Sequence, residues 1–108
     1  MTLFEVISRL GEYSDDDMIF AAQTNGSWLP GSYAFVVPMA EDGRTTEIIE
    51  GIESKYFLEI DLAKEILEAW LDIAGKLSLS NEEKFKVALH YAERDTWPDP
   101  IAVEERLH

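Results

Sequence analysis

The stretch that most constrains the fold runs from Asp61 to Ala74 and has the sequence DLAKEILEAWLDIA. At about 100° per residue, a helix places its charged side chains in one narrow stripe: Lys64, Glu65, Glu68 and Asp72. The rest of the circumference is apolar, which predicts that the helix is covered on more than one side. We therefore expect a sheet on one flank of this helix and a second helix on the other.

The residues before this helix predict a short helix followed by an antiparallel sheet. Thr2 and Glu5 have the spacing of a capping box, and the apolar face that follows ends at Gly11, a favourable helix stop. A strand is predicted at 18–24, and the Asn25-Gly26 pair predicts a tight hairpin that returns through residues 27–29. Further strands are expected at 32–37, 45–49 and 55–60, with a turn at 41–44.

The residues after the central helix predict one more helix. Asp61 is the expected N-cap of the central helix and Gly75 its end. Ser80 and Glu83 form a second capping box before the last helix, which must break within 95–100 because of its prolines. Residues 101–108 are either a frayed helical tail or a strap across the fold.

Together these elements predict a single domain, residues 1–108, of the α+β class. Its expected architecture is an N-terminal helix, an antiparallel meander of three or four strands, and two C-terminal helices packed on one sheet face.

The amino-acid composition limits the kinds of site that the protein can contain and indicates the cell compartment in which it works. The chain has no cysteine, which excludes disulfides, thiolate zinc sites and cysteine nucleophiles. Its first residues lack the basic region and long apolar run of a signal peptide. No apolar stretch approaches the ~18 residues of a membrane span. We expect a soluble cytoplasmic protein that does not contact membranes.

The charge balance is the strongest indication of a partner. Twenty-two acidic residues against nine basic ones give a net charge of −13. Such a surface repels phosphate backbones and anionic lipids, and it attracts a basic protein. The alternative, that the acidity serves solubility only, stays open.

No residue pattern indicates a catalytic, metal or cofactor site. His90 is expected to face solvent and His108 is terminal, so three converging metal ligands are not expected. Asp15, Asp16 and Asp17 lack the alternating ligands and central glycine of a calcium loop and are expected to form a solvated turn. Phosphate-loop, dinucleotide and serine-elbow motifs are missing. We expect neither an enzyme nor a cofactor.

Two tryptophans outside the central helix are candidate anchors for a partner. Trp28 lies beside the Asn25-Gly26 turn, and Trp97 follows the last helix. Aromatic side chains at such places either plug the rim of the core or anchor a partner, and both alternatives remain open. The partner-binding residues predicted from sequence are Asp15, Asp16, Asp17, Trp28, Glu65, Glu68, Asp72 and Trp97.

The runs 56–70 (YFLEIDLAKEILEAW) and 88–97 (ALHYAERDTW) resemble short bacterial domains of unknown function. Some proteins of that build are similar to immunity proteins, which neutralise toxins. The resemblance covers the C-terminal half and carries over no functional residue. It favours a non-catalytic acidic module that binds a basic protein such as a toxin or nuclease. The alternative is a small enzyme or ligand-binding domain with a pocket between sheet and helices, for which Glu59 and Asp61 are the candidate carboxylates.

Overall fold

The computed structural model describes residues 1–39 and 44–97, and these form an α+β domain as predicted. The turn expected at 41–44 falls largely outside the described residues, and the tail at 101–108 does so entirely. The elements follow in chain order: α1 (Leu3–Ser8), a 3-10 turn (Leu10–Glu12), β1 (Asp17–Ala21), β2 (Ala34–Pro38), β3 (Thr46–Ile49), β4 (Ile52–Glu59), α2 (Ile60–Ala74) and α3 (Asn81–Arg94).

The four strands form one antiparallel sheet in the order β2-β1-β4-β3. The predicted antiparallel pairing is confirmed, but the order is that of two hairpins side by side and not of a meander. β1 and β4 meet in the centre, with Ile19 opposite Leu58 and a bulge before Phe20. The physical reason is burial: four of the five residues of β1 are buried, whereas β2 and β3 are partly exposed and lie at the edges.

The Asn25-Gly26 turn forms as predicted but closes only one bridge. Asn25 has φ 53° and Gly26 has φ 79°, and the turn joins Thr24 to Ser27. The predicted return strand at 27–29 is wrong, since β1 pairs with β2 instead. Pro30 has no N–H for a sheet ladder, and residues 29–32 instead bond within their own loop and to the start of α1.

The helix boundaries agree with the predicted capping residues except at two positions. The capping boxes at Thr2 and Ser80 form, and Gly75 ends α2 in the left-handed conformation with φ 66°. The first helix ends at Ser8, and a 3-10 turn continues through the predicted stop at Gly11. Asp61 is not an N-cap: α2 begins one residue earlier, and Asp61 lies in the first turn, where a carboxylate still favours the positive helix end.

The central helix is covered on two sides, as its sequence predicts. It packs against α3 on one flank and against β1 and β4 on the other. Trp70 is fully buried within one cluster that also includes apolar side chains of α1, α3 and the sheet face carrying Ile19 and Ala21. This single core positions the exposed stripe of α2 rigidly at the surface.

The connection from α2 to α3 is held at both ends. The Gly75 and Lys76 amides donate to the carbonyls of Asp72 and Leu71. The Lys76 ammonium lies 2.5 Å from a Glu83 carboxylate oxygen and 5.8 Å from the centre of the Trp70 ring. Burial raises the pKa of Glu83, but hydrogen bonds from Lys76 and Ser80 outweigh burial and lower it overall. Residues 75–80 are therefore a fixed loop.

Replacing Trp70 by alanine should destabilise the protein strongly. The indole is fully buried, and truncations of this size cost on the order of 3–5 kcal/mol because the cavity cannot collapse. Denaturant unfolding measures the change, with Trp97→Ala as the control, since Trp97 is 36% exposed and should cost less. Equal losses for the two variants would contradict this description of the core.

Replacing Glu83 by glutamine should destabilise the protein in a pH-dependent way. Because folding lowers the pKa of Glu83 below its ordinary 4.5, the ion pair with Lys76 contributes stability above that pH. This contribution is lost as the pH falls through the folded-state pKa. The wild-type protein should therefore exceed the variant by about 1–3 kcal/mol at pH 7, and the gap should shrink on acidification. A gap that is constant from pH 7 to pH 3 would contradict the assignment.

Candidate interaction surface

The acidic turn before β1 and the central helix meet through one lysine. The Lys64 ammonium lies 2.5 Å from an Asp15 carboxylate oxygen and donates a hydrogen bond of 3.3 Å to the Tyr13 carbonyl. Asp16 is exposed beside Asp15, whereas Asp17 begins β1 and is half-buried. The acidic turn and the exposed side of α2, both predicted to bind a partner, thus share one surface. The two residues that join them, Asp15 and Lys64, are 49 positions apart in the sequence.

The exposed side of α2 carries four carboxylates in a row: Asp61, Glu65, Glu68 and Asp72. Their spacing of four, three and four residues keeps them on one side of the helix, and at 1.5 Å per residue the row is about 16 Å long. Within ranges 1–39 and 44–97, none of the four forms an ion pair. Asp61, which the sequence assigned to capping, therefore belongs to this row.

We refer to Asp15, Asp16 and the four carboxylates of α2 as the acidic face. Lys64 is the cation that joins its two parts, and Lys76 forms an ion pair with Glu83. Of the other described cations, Lys84, Lys86 and Arg94 lie on α3, and Arg9, Arg44 and Lys55 lie outside that helix. The acidic face therefore places six carboxylates together, and among the ion pairs of the described residues only Asp15 of the six takes part.

The two tryptophans predicted as possible anchors take part in the internal packing. The Trp28 indole N–H donates to the Ala21 carbonyl at 3.0 Å, and its ring meets Phe57 edge to face at 5.1 Å. The Trp97 indole N–H donates to the Ile66 carbonyl at 3.0 Å, and its ring lies 5.4 Å from that of Tyr91. These contacts favour the alternative in which the two tryptophans close the rim of the core. A partner could contact only the part of each ring that remains exposed.

An apolar cleft borders the acidic face and was missed by the sequence analysis. It has a volume of about 360 Å³ and lies between α2, the 75–80 loop and the start of α3. Leucines dominate its lining, and Glu68 and Lys84 stand at its edges: Leu67, Glu68, Leu71, Leu77, Ser78, Leu79 and Lys84. Leu77 is fully exposed. The only sequence signal was the pair of leucines, Leu77 and Leu79, between Gly75 and the Ser80 cap and outside both helical repeats.

A second cleft, of about 480 Å³, lies between α1 and α3. Its walls are Phe4, Phe85 and Pro30, and the two phenylalanine rings are 6.0 Å apart. Glu82 and Lys86 provide its polar edge. This cleft is separate from the acidic face and does not lie between the sheet and the helices, where the alternative hypothesis places a pocket.

Among the described residues, no unpaired buried carboxylate faces a cavity. Glu83 is the one buried carboxylate among them, and it is paired with Lys76. Glu59 is half-buried and Asp61 exposed, so the junction between β4 and α2 holds no buried carboxylate pair. Burial raises the pKa of Tyr56, and the negative charge of Glu59 raises it further.

Of the two histidines, His90 lies within the part of the chain that the structure describes. His90, predicted to face solvent, is half-buried and lines a shallow cleft with Glu93 and Arg94. His108 lies outside the described residues. In ranges 1–39 and 44–97, no three histidine or carboxylate side chains are placed to share a metal ion.

None of the helices in the described ranges has both the length and the apolar character to cross a bilayer. Comparisons of the chain with protein families, with curated proteins and with solved structures find no match. The resemblance of residues 56–70 and 88–97 to immunity-like domains therefore stays a prediction.

Proposed function

We propose that this protein is a non-catalytic interaction module of the cytoplasm that binds a basic protein through its acidic face. The observation that carries the proposal is the unpaired row of carboxylates on α2, joined to the acidic turn by Lys64. A toxin or nuclease with a basic surface is the class of partner that fits, as for an immunity protein or other inhibitor.

The arrangement suits electrostatic steering. Opposite charges on two surfaces raise the rate of encounter and orient the partners before close contact. On the acidic face, four carboxylates follow one side of α2, whose opposite side is buried in the core, and Lys64 holds Asp15 of the acidic turn beside them. Such a preorganised surface loses little conformational entropy when it binds.

The alternative of a ligand-binding domain or enzyme has weaker support. It requires an unpaired buried carboxylate facing a cavity, and Glu83, the buried carboxylate of the described residues, is bound to Lys76. The cleft between α1 and α3 has the volume of a small-molecule site. Its walls, however, offer two phenylalanines and a proline with only Glu82 and Lys86 at the edge.

Reversing three charges of the acidic face should abolish most of the attraction for a cation. We expect Glu65, Glu68 and Asp72 changed together to lysine to weaken binding of a helical alanine–lysine peptide at least about tenfold, or about 1.4 kcal/mol. Binding to the wild-type protein should also weaken between 0.1 M and 1 M salt, as the screening length falls from about 10 Å to about 3 Å. Fluorescence anisotropy of the labelled peptide measures both effects.

The matched control changes the same number of charges elsewhere. Glu50, Glu53 and Glu93 are exposed and lie on the β3–β4 hairpin and on α3. Their joint reversal alters the net charge equally, so it should weaken binding much less if the acidic face is the site. Equal effects of the two triple variants, or binding that ignores salt, would contradict the proposal and favour acidity for solubility only.

A further inference from the structure

We infer that the cleft beside Leu77 is the apolar centre of the interface and that it receives a leucine-like side chain from a basic helical segment of the partner. The inference rests on the proposed function and adds to it the place and chemistry of the anchor. Protein interfaces are built in this way, with a desolvated apolar centre and a charged rim.

The cleft and the acidic face are continuous. Glu68 belongs to both, and Asp72 follows it one turn along α2. Beside this edge lie Leu71, which is half-buried, and Leu77, which is fully exposed. A partner attracted by the carboxylates therefore arrives next to apolar surface that is still in contact with water.

The loop that carries Leu77 is held at both ends, although the side chain is not packed. Hydrogen bonds from the Gly75 and Lys76 amides hold its start, and the Ser80 capping box holds its end. The Lys76–Glu83 ion pair closes the loop across its base. Because the backbone is held on both sides of Leu77, binding needs to order little of the loop beyond the leucine side chain itself.

The charges around the cleft define the occupant. The carboxylates extend about 16 Å along α2 with helical spacing, so lysines repeated every three or four residues on a partner helix match them. Lys84 stands on the opposite wall from Glu68, which directs the cations of the partner toward α2. A second copy of this chain is a poor occupant, since two chains of net charge −13 repel each other.

Two labelled peptides of equal charge test the inference. One is a 15-residue helical peptide with lysines along one stripe and leucines along the adjacent stripe, and in the second peptide alanines replace the leucines. The wild-type protein should bind the leucine peptide at least about tenfold more tightly, because only leucine fills the cleft. Fluorescence anisotropy at peptide concentrations below self-association measures the preference.

The decisive variant is Leu77→Ser, which should reduce the preference for leucine to about threefold or less while leaving the affinity for the alanine peptide unchanged. Leu77 is fully exposed, so the variant should keep the wild-type melting temperature. Ile48→Ser is the matched control, because Ile48 is 73% exposed on β3, an edge strand outside the cleft. It should leave the preference at its wild-type value.

The outcomes separate this inference from the proposed function. If Leu77→Ser kept the wild-type preference for the leucine peptide, or if Ile48→Ser lost as much of it, the assignment of the Leu77 cleft as the apolar anchor would be wrong. If both peptides bind the wild-type protein equally and still depend on Glu65, Glu68 and Asp72, the anchor fails and the proposed function stands. If the affinity of neither peptide depends on those three residues, the anchor and the proposed function are both wrong.

Discussion

The two-sided burial of α2 is the constraint on which the rest of the structure depends. Trp70 and its apolar neighbours must be covered by α3 on one flank and by β1 and β4 on the other. This requirement places the two strands with the most buried residues, β1 and β4, in the centre of the sheet and leaves β2 and β3 at the edges. In the order β2-β1-β4-β3, the two strands that pack against α2 are the central ones.

The same constraint determines where the surface chemistry lies. With two sides of α2 covered, its charged side chains are concentrated on the side that faces solvent, and the packed sides hold the helix in place. Lys64 then draws Asp15 to this surface, and the fixed loop after Gly75 presents Leu77 beside it. Stability and the proposed recognition thus depend on opposite sides of one helix, and they can be altered independently.

Most features set by neighbouring residues were predictable from the sequence, apart from the Gly11 stop and the Asp61 N-cap, and features set by distant contacts were not. The capping boxes at Thr2 and Ser80, the Gly75 stop and the exposed row on α2 follow from local spacing, and all are present. The strand order depends on contacts between residues far apart, such as Ile19 and Leu58, and the predicted meander missed it.

The candidate surface shows the same division. Its acids on α2 were predictable from the helical repeat, whereas its union with Asp15 depends on a lysine 49 residues away. Trp28 and Trp97 looked like anchors because both follow a turn or a helix end, but each donates its indole N–H to a backbone carbonyl inside the fold. Leu77 belongs to no periodic pattern, so only the three-dimensional arrangement distinguishes it from a buried loop leucine.

We propose that one side of α2 and the loop after it form a single recognition surface. Amide chemical shifts recorded by NMR during titration with the leucine–lysine peptide test this proposal residue by residue. The largest shifts should fall within 61–79 and at Asp15. Shifts that centre on Phe4 and Phe85 in the other cleft, or on β3, would contradict it.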